Sequence, residues 1–210
     1  MEIKNIPNQI IKQSLIPLNL KKVDTIALHH MAHPTADVKT VESWHINQGW
    51  RAFGYNFWVA FDGTVYEGRG FNVGAGVENQ NGHIISIGFQ GDYHSKSTQM
   101  PDAQFNAGID IITYVLKKVP TVSKICGHKD CMATECPGKY FPLEEIKTLK
   151  KRGKRKMIYN KIEECPEWSR PYIQTAINLG YLKGDGNGLG LNDDRIWCLV
   201  VMLRVNGVMK

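Results

Sequence analysis

The sequence lacks any stretch approaching about 18 consecutive apolar residues, so no segment reads as a membrane-spanning helix and no membrane insertion is expected. Its first residues, MEIKNIPNQIIKQSLIPLNL, contain neither an unbroken apolar segment of signal-peptide length nor a small-residue cleavage site. The expectation is a chain made and folded in a cytoplasm. Cysteine is sparse and odd in number. The five cysteines, Cys126, Cys131, Cys136, Cys165 and Cys198, are irregularly spaced, which makes a disulfide framework a poor explanation and favours metal ligation or burial. Composition otherwise excludes little, because 42% hydrophobic and 22% charged residues are ordinary for a folded protein. A chain of 210 residues suffices for one well-buried core plus a small appendix.

An excess of one charge sign is also missing from most of the chain. The net charge is +6, yet residues 1–146 carry 13 Lys/Arg against 14 Asp/Glu, and residues 157–210 carry six of each. The whole surplus lies in KTLKKRGKRK, residues 147–156, which holds no acid and contains Gly153. A charge run that interrupts the apolar pattern in this way reads as a linker. It serves either as a solvated, self-repelling connector or as a contact to a polyanion. Nucleic acid is not expected as the partner, since no aromatic residue is interleaved to stack on bases. Another anionic polymer suits the run at least as well.

The patterned segments alternate between two periods. VDTIALHH (residues 23–30) and IISIGFQG are apolar, β-branched runs that read as buried strands. YNFWVAF and TVYEGR flank Asp62-Gly63, a dipeptide suited to the positive φ angles of a hairpin turn. VKTVESWHINQ reads as a helix, and in DAQFNAGIDIITYVLKKV the residues Phe105, Ile109, Ile112, Leu116 and Val119 recur at steps of three and four, on one helical face. The expected class is α/β, a mixed central sheet flanked by helices, in residues 1–146. Residues 157–210 read as a small all-α domain of two or three short helices, PEWSRPYIQTAINLGYL and RIWCLVVMLRV, with Gly180 as a C-cap and only a marginal core. Between them, KGDGNGLGLNDD could suggest a calcium loop starting at Asp185. Leu189 and Ile196 stand where such a loop wants ligands, so a turn is the better reading.

The most informative stretch is GHKDCMATECPG, residues 127–138. His128 and Cys136 are eight residues apart, a spacing a loop can fold onto one ion, but no Cys-x-x-Cys pair or second downstream His completes a closed site. Further ligands must come from elsewhere. His29, at the end of the strand VDTIALHH, is the best candidate, because a rigid strand aims a side chain with little entropy loss. Two His and one Cys would leave the fourth tetrahedral position open, as catalytic zinc requires. The chain has seven histidines, so spacing alone does not select this set.

The series ALHHMA, ESWHINQGWRAFGYNFWVAFDGTVYEGR, SIGFQGDY and GHKDCMATECPG, spread in that order over roughly residues 20–146, resembles the type 2 N-acetylmuramoyl-L-alanine amidases, a group that includes bacteriophage endolysins and the peptidoglycan recognition proteins. The resemblance implies a zinc-dependent hydrolase that cuts the amide between N-acetylmuramic acid and the L-alanine of the stem peptide. It places the zinc ligands on His29, His128 and Cys136, and active-site residues on Tyr55 and Thr134. A hydroxyl beside the metal can stabilise the oxyanion that forms at the scissile carbonyl, a contribution of about 3 kcal/mol. Trp50, Arg51 and Arg69 are candidate contacts to the sugar-peptide substrate. Some relatives carry a glutamate base in the strand that here reads IISIGFQG; Gly88, Phe89 and Gln90 offer no carboxylate, so no base is assigned. His30 is expected to face the other side of its strand from His29, and His45, His83 and His94 to be structural or exposed.

Non-catalytic members of the group bind peptidoglycan and generally lack the metal cysteine. Cys136 therefore favours the enzyme, with a non-catalytic peptidoglycan-recognition protein as the alternative. Residues 157–210 faintly resemble the helical units of surface-layer homology modules, which implies attachment of residues 147–210 to anionic wall polymers, with a homodimer through this domain as the other reading. The combined expectation is an endolysin held in the host cytoplasm until a holin gives it access to the wall.

Overall fold

Every residue of Thr25–His30 (β2) and of Ile84–Phe89 (β5) is buried. Such continuous apolar runs suit strands covered on both faces, and the two pair in parallel, with His29 opposite Gly88. Around them a six-stranded sheet is completed by Ile3–Asn5 (β1), Phe57–Val59 (β3), Val65–Glu67 (β4) and Lys124–Gly127 (β6), in the order β1-β4-β3-β5-β2-β6. All pairings are parallel except β3 with β4. The computed structural model describes residues 1–95, 99–152, 159–184 and 186–209. It divides into two compact units, Met1–Gly153 and Lys154–Lys210.

The hairpin β3–β4 turns at Asp62-Gly63 as its sequence requires. Asp62 Oδ1 accepts from the Thr64 amide at 2.8 Å, and Gly63 has φ +85°. A side chain at Gly63 would also meet the Ala103 carbonyl at 2.9 Å. Val38–Asn47 (α1) starts where the Asp37 side chain accepts from the Thr40 amide. Asp102–Lys118 (α2) follows Pro101, with an acid in its first turn and Lys117 and Lys118 in its last, matching the helix dipole. Its predicted face is the one buried: Phe105, Ile109 and Ile112 enter the main core with Ile26, Leu28, Ile85, Ile87 and Phe89 from the central strands.

The described part of the basic run is engaged in the first unit. After Leu143–Lys147 (α3), Lys147 pairs with Glu144, Lys151 with Asp110, and Arg152 forms two parallel 2.7 Å bonds to Glu145. The Arg152 guanidinium also lies 4.0 Å over the Phe105 ring. Residues 153–158, which include the rest of the expected 147–156 linker, lie outside the described residues.

The second unit contains Arg170–Asn178 (α4) and Asp193–Val205 (α5), packed through Tyr159, Cys165, Ile173, Leu191, Ile196 and Val200. Gly180 takes φ +76° just past α4, the conformation a helix stop favours. The Asn192 side chain caps α5 by accepting from the Arg195 amide. Asp185, where the calcium alternative would begin, is outside the described residues, and Ile196 is fully buried in the core. Among the described residues no helix is long and apolar enough to cross a membrane.

Candidate metal centre

Parallel pairing of β6 with β2 is what assembles the site. Leu28 pairs with Gly127, so the residues that follow in each strand, His29 and His128, emerge side by side with ring centroids 4.5 Å apart. Beyond His128 the chain makes a 3₁₀ turn, His128–Asp130, and returns: the Lys129 amide donates to the Cys136 carbonyl at 2.7 Å. Cys136 Sγ thereby comes within 3.9 Å of His29 Nδ1 and accepts from the His30 amide at 3.4 Å. One ligand atom from each of His29, His128 and Cys136 lies within 4.8 Å of the others, close enough to share an ion. Among the described residues no fourth His, Cys, Asp or Glu belongs to that group.

The donor set fits a soft divalent metal. His29 is 1% exposed, and the Nε2 atoms of both His29 and His128 are buried without a hydrogen-bond partner. Burial, followed by the neighbouring His128 and His30, holds the His29 imidazole well below its usual pKa, and burial lowers His128 as well. Both rings are thus kept neutral, the form that ligates. Burial pushes the Cys136 thiol up to about 11, so its thiolate needs a cation beside it.

Tyr55 stands over this group, its ring 5.0 Å from that of His29. Gly88 makes the approach possible: a Cβ there would meet the rings of Trp58 and Tyr55 at 2.9 Å. Gly76 similarly covers His29, since a Cβ on it would lie 3.2 Å from Nε2 and 2.5 Å from Ser86 Oγ. Sequence reasoning singled out neither glycine for this role, although a glycine inside an apolar strand, as at Gly88, is itself a sign of close approach. Burial and then the Cys136 sulfur push the Tyr55 phenol far above its usual range, so it remains a hydrogen-bond donor. Thr134 is half-buried, and its Oγ1 accepts from the Cys136 amide at 3.3 Å.

The candidate substrate residues are placed differently from one another. Trp50 stacks on His45 at 4.5 Å with an interplanar angle of 14°. Arg51 is exposed and donates to the Ser14 carbonyl at 3.3 Å. Arg69, expected at the substrate, is only 5% exposed. Its guanidinium donates to the carbonyls of Phe53, Val73 and Ala52, which makes it a tie inside the loop around the hairpin. Burial, then Arg69, lowers the His45 pKa to about 4, and His45 Nδ1 accepts from the Gly54 amide. His30 faces away from the trio, accepting from the Tyr93 amide with Asp92 nearby. Gln90, just past β5, which has no carboxylate, spends its side-chain oxygen on the Phe61 amide.

A mixed six-stranded sheet flanked by helices, with two imidazoles and a thiol converging near the ends of β2 and β6, is the fold of a type 2 amidase. The family N-acetylmuramoyl-L-alanine amidase (Amidase_2) matches residues 19–139, and the chain belongs to it. Among solved structures, the endolysin N-acetylmuramoyl-L-alanine amidase LysCS from Clostridium intestinale is similar with a TM-score of 0.63 and 27% identity, covering 70% of this chain and 93% of that one. The complex of peptidoglycan recognition proteins LCa and LCx with bound tracheal cytotoxin is similar with a TM-score of 0.58 and 29% identity, over 65% of this chain and 87% of that one. Peptidoglycan-recognition protein SC2 of Drosophila simulans is 37% identical over 105 residues, 48% of this chain and 56% of the relative. The chain thus spans about half the length of that curated relative.

Proposed function

We propose that this protein hydrolyses the amide bond between N-acetylmuramic acid and L-alanine in bacterial peptidoglycan, with zinc held by His29, His128 and Cys136. The observation that carries the reading is the convergence of those three side chains, with buried imidazole nitrogens that have no other partner. Zinc bound there would supply a Lewis acid and lower the pKa of water to about 7, which suits a chain with no carboxylate base in β5. Tyr55, kept protonated by burial, donates to the oxygen that gains charge at the scissile carbonyl. Thr134 Oγ1 is fixed by the Cys136 amide, which leaves its own proton to donate toward the same oxygen. Trp50 and Arg51 border the substrate as an aromatic surface and a cation.

Lysis of bacterial walls as an endolysin is part of this reading, and the likeness to LysCS supports it. In the second unit, Trp168 and Trp197 pack together at 5.0 Å while 48% and 54% exposed, a surface suited to holding the wall. Digestion of purified wall tests the proposal. New L-alanine amino termini without new reducing ends, abolished by a chelator and restored by zinc, are expected. New reducing ends would mean a glycosidase, and wall binding with no new termini would mean recognition without cleavage.

A further inference from the structure

Two thiols outside the ligand set lie in contact. Cys126 Sγ and Cys131 Sγ are 3.4 Å apart, both are free, and neither belongs to the group of His29, His128 and Cys136. Cys126 is on β6, 2% exposed and paired with Ala27 of β2. Cys131 ends the 3₁₀ turn and is half-buried, packing with Met132 against Ala27, Val77 and Ile84. The two sulfurs therefore bracket His128, one on a rigid strand and one at the far end of its turn.

Hydrogen bonds hold the turn between them in place. The Gly127 amide donates to the Asp130 carboxylate at 2.9 Å, the Cys131 amide to the His128 carbonyl at 2.9 Å, and the Gln80 side chain to the Cys131 carbonyl at 2.8 Å. The sulfurs are already in contact and would close to about 2.0 Å on bonding.

We propose that Cys126 and Cys131 form a reversible disulfide that staples the turn carrying His128. The oxidant is a low-molecular-weight disulfide. Cys131, the more exposed thiol, attacks one of its sulfurs as thiolate, forms a mixed disulfide and releases one thiol. Cys126 then gives up its proton, attacks the Cys131 sulfur and displaces the second thiol. The protein loses two hydrogens and the oxidant gains them. The link closes a short loop and restricts the unfolded chain, so melting rises by about 5 °C.

The test uses the full chain carrying Cys198→Ser, which removes the exposed thiol of the second unit. It is treated with oxidised glutathione, alkylated and mapped by tandem mass spectrometry, with melting followed in parallel. A Cys126–Cys131 peptide, reversal by dithiothreitol and the rise in melting are expected, and all three disappear in Cys131→Ser. A glutathione adduct persisting on Cys131, a bond to Cys136 instead, or full alkylation of both thiols after oxidation overturns the proposal. A link that forms without raising the melting point overturns the staple. Should Cys131→Ser fail to fold, the peptide map of the Cys198→Ser chain still decides.

Discussion

The two units bury their apolar residues with different success. Residues 1–153 enclose a large core against one face of β2 and β5 and smaller clusters against the other, so both strands are buried throughout. Residues 154–210 are little more than a quarter of the chain, yet they hold eight of the fourteen large hydrophobic residues exposed among the described ones, including Trp168, Tyr181, Trp197, Val201 and Val205. A segment this short cannot cover both faces of its helices. The first unit therefore has the means to fix reacting groups, and the second has apolar surface left over for contact.

Losing a ligand should sharpen the contrast most. Cys136→Ala is expected to lower turnover on purified wall by about 10³-fold or more, several kcal/mol of transition-state stabilisation. Zinc measured after gel filtration should fall with it, while the melting of the metal-free chain barely moves. Retained zinc at full stoichiometry would break the assignment of the site. Next comes the core. Ile87→Ala, in a strand encased on both faces, should cost about 4 kcal/mol in urea unfolding, whereas Ile196→Ala in α5, where a small unit can relax around the gap, should cost about 2 kcal/mol. Equal costs would remove the difference in packing on which the comparison stands. Tyr55→Phe keeps the ring against Gly88 and removes only the donor. A fall of about 100-fold in kcat with KM little changed is expected, the signature of a contact made in the transition state. Unchanged kcat would leave Tyr55 as packing alone.

Much of this contrast was legible in the residues. The central strands, the hairpin at Asp62-Gly63 and the face of α2 follow from period and turn chemistry, and the same signals separated the short helical region from the sheet. The strands that escaped notice, β1 and β6, are IKN and KICG, too short to display an alternation. That omission matters for the site. The eight-residue spacing of His128 and Cys136 suggested a shared ion, and the end of the strand VDTIALHH, together with family likeness, pointed to His29, but only the pairing of β6 with β2 brings the two imidazoles together. Arg69 and Arg152 make contacts that their local sequence does not announce. Arg69 is held by the carbonyls of Ala52 and Phe53 as well as by nearby Val73, and Arg152 by Asp102 and the Phe105 ring as well as by Glu145, so part of what satisfies each lies beyond the reach of local pattern. Local pattern reports a residue's own preference, and a buried cation is decided by distant partners.

The smallest effect expected is also the one that isolates the second unit's surface. Trp168 and Trp197 touch each other but are about half exposed, so Trp197→Ala removes one aromatic contact and little buried area. Stability should fall by only about 0.5 kcal/mol. If the pair holds the wall, co-sedimentation with purified wall should weaken about tenfold, equivalent to about 1.4 kcal/mol, while turnover on a small soluble muropeptide stays the same. The pairing of readouts matters because the first unit alone supplies the chemistry in this account. A variant that loses soluble turnover as well would show that this surface does more than hold, and unchanged sedimentation would move the role of the exposed aromatics from the wall to another partner, a second copy of the chain being the one to test by analytical ultracentrifugation.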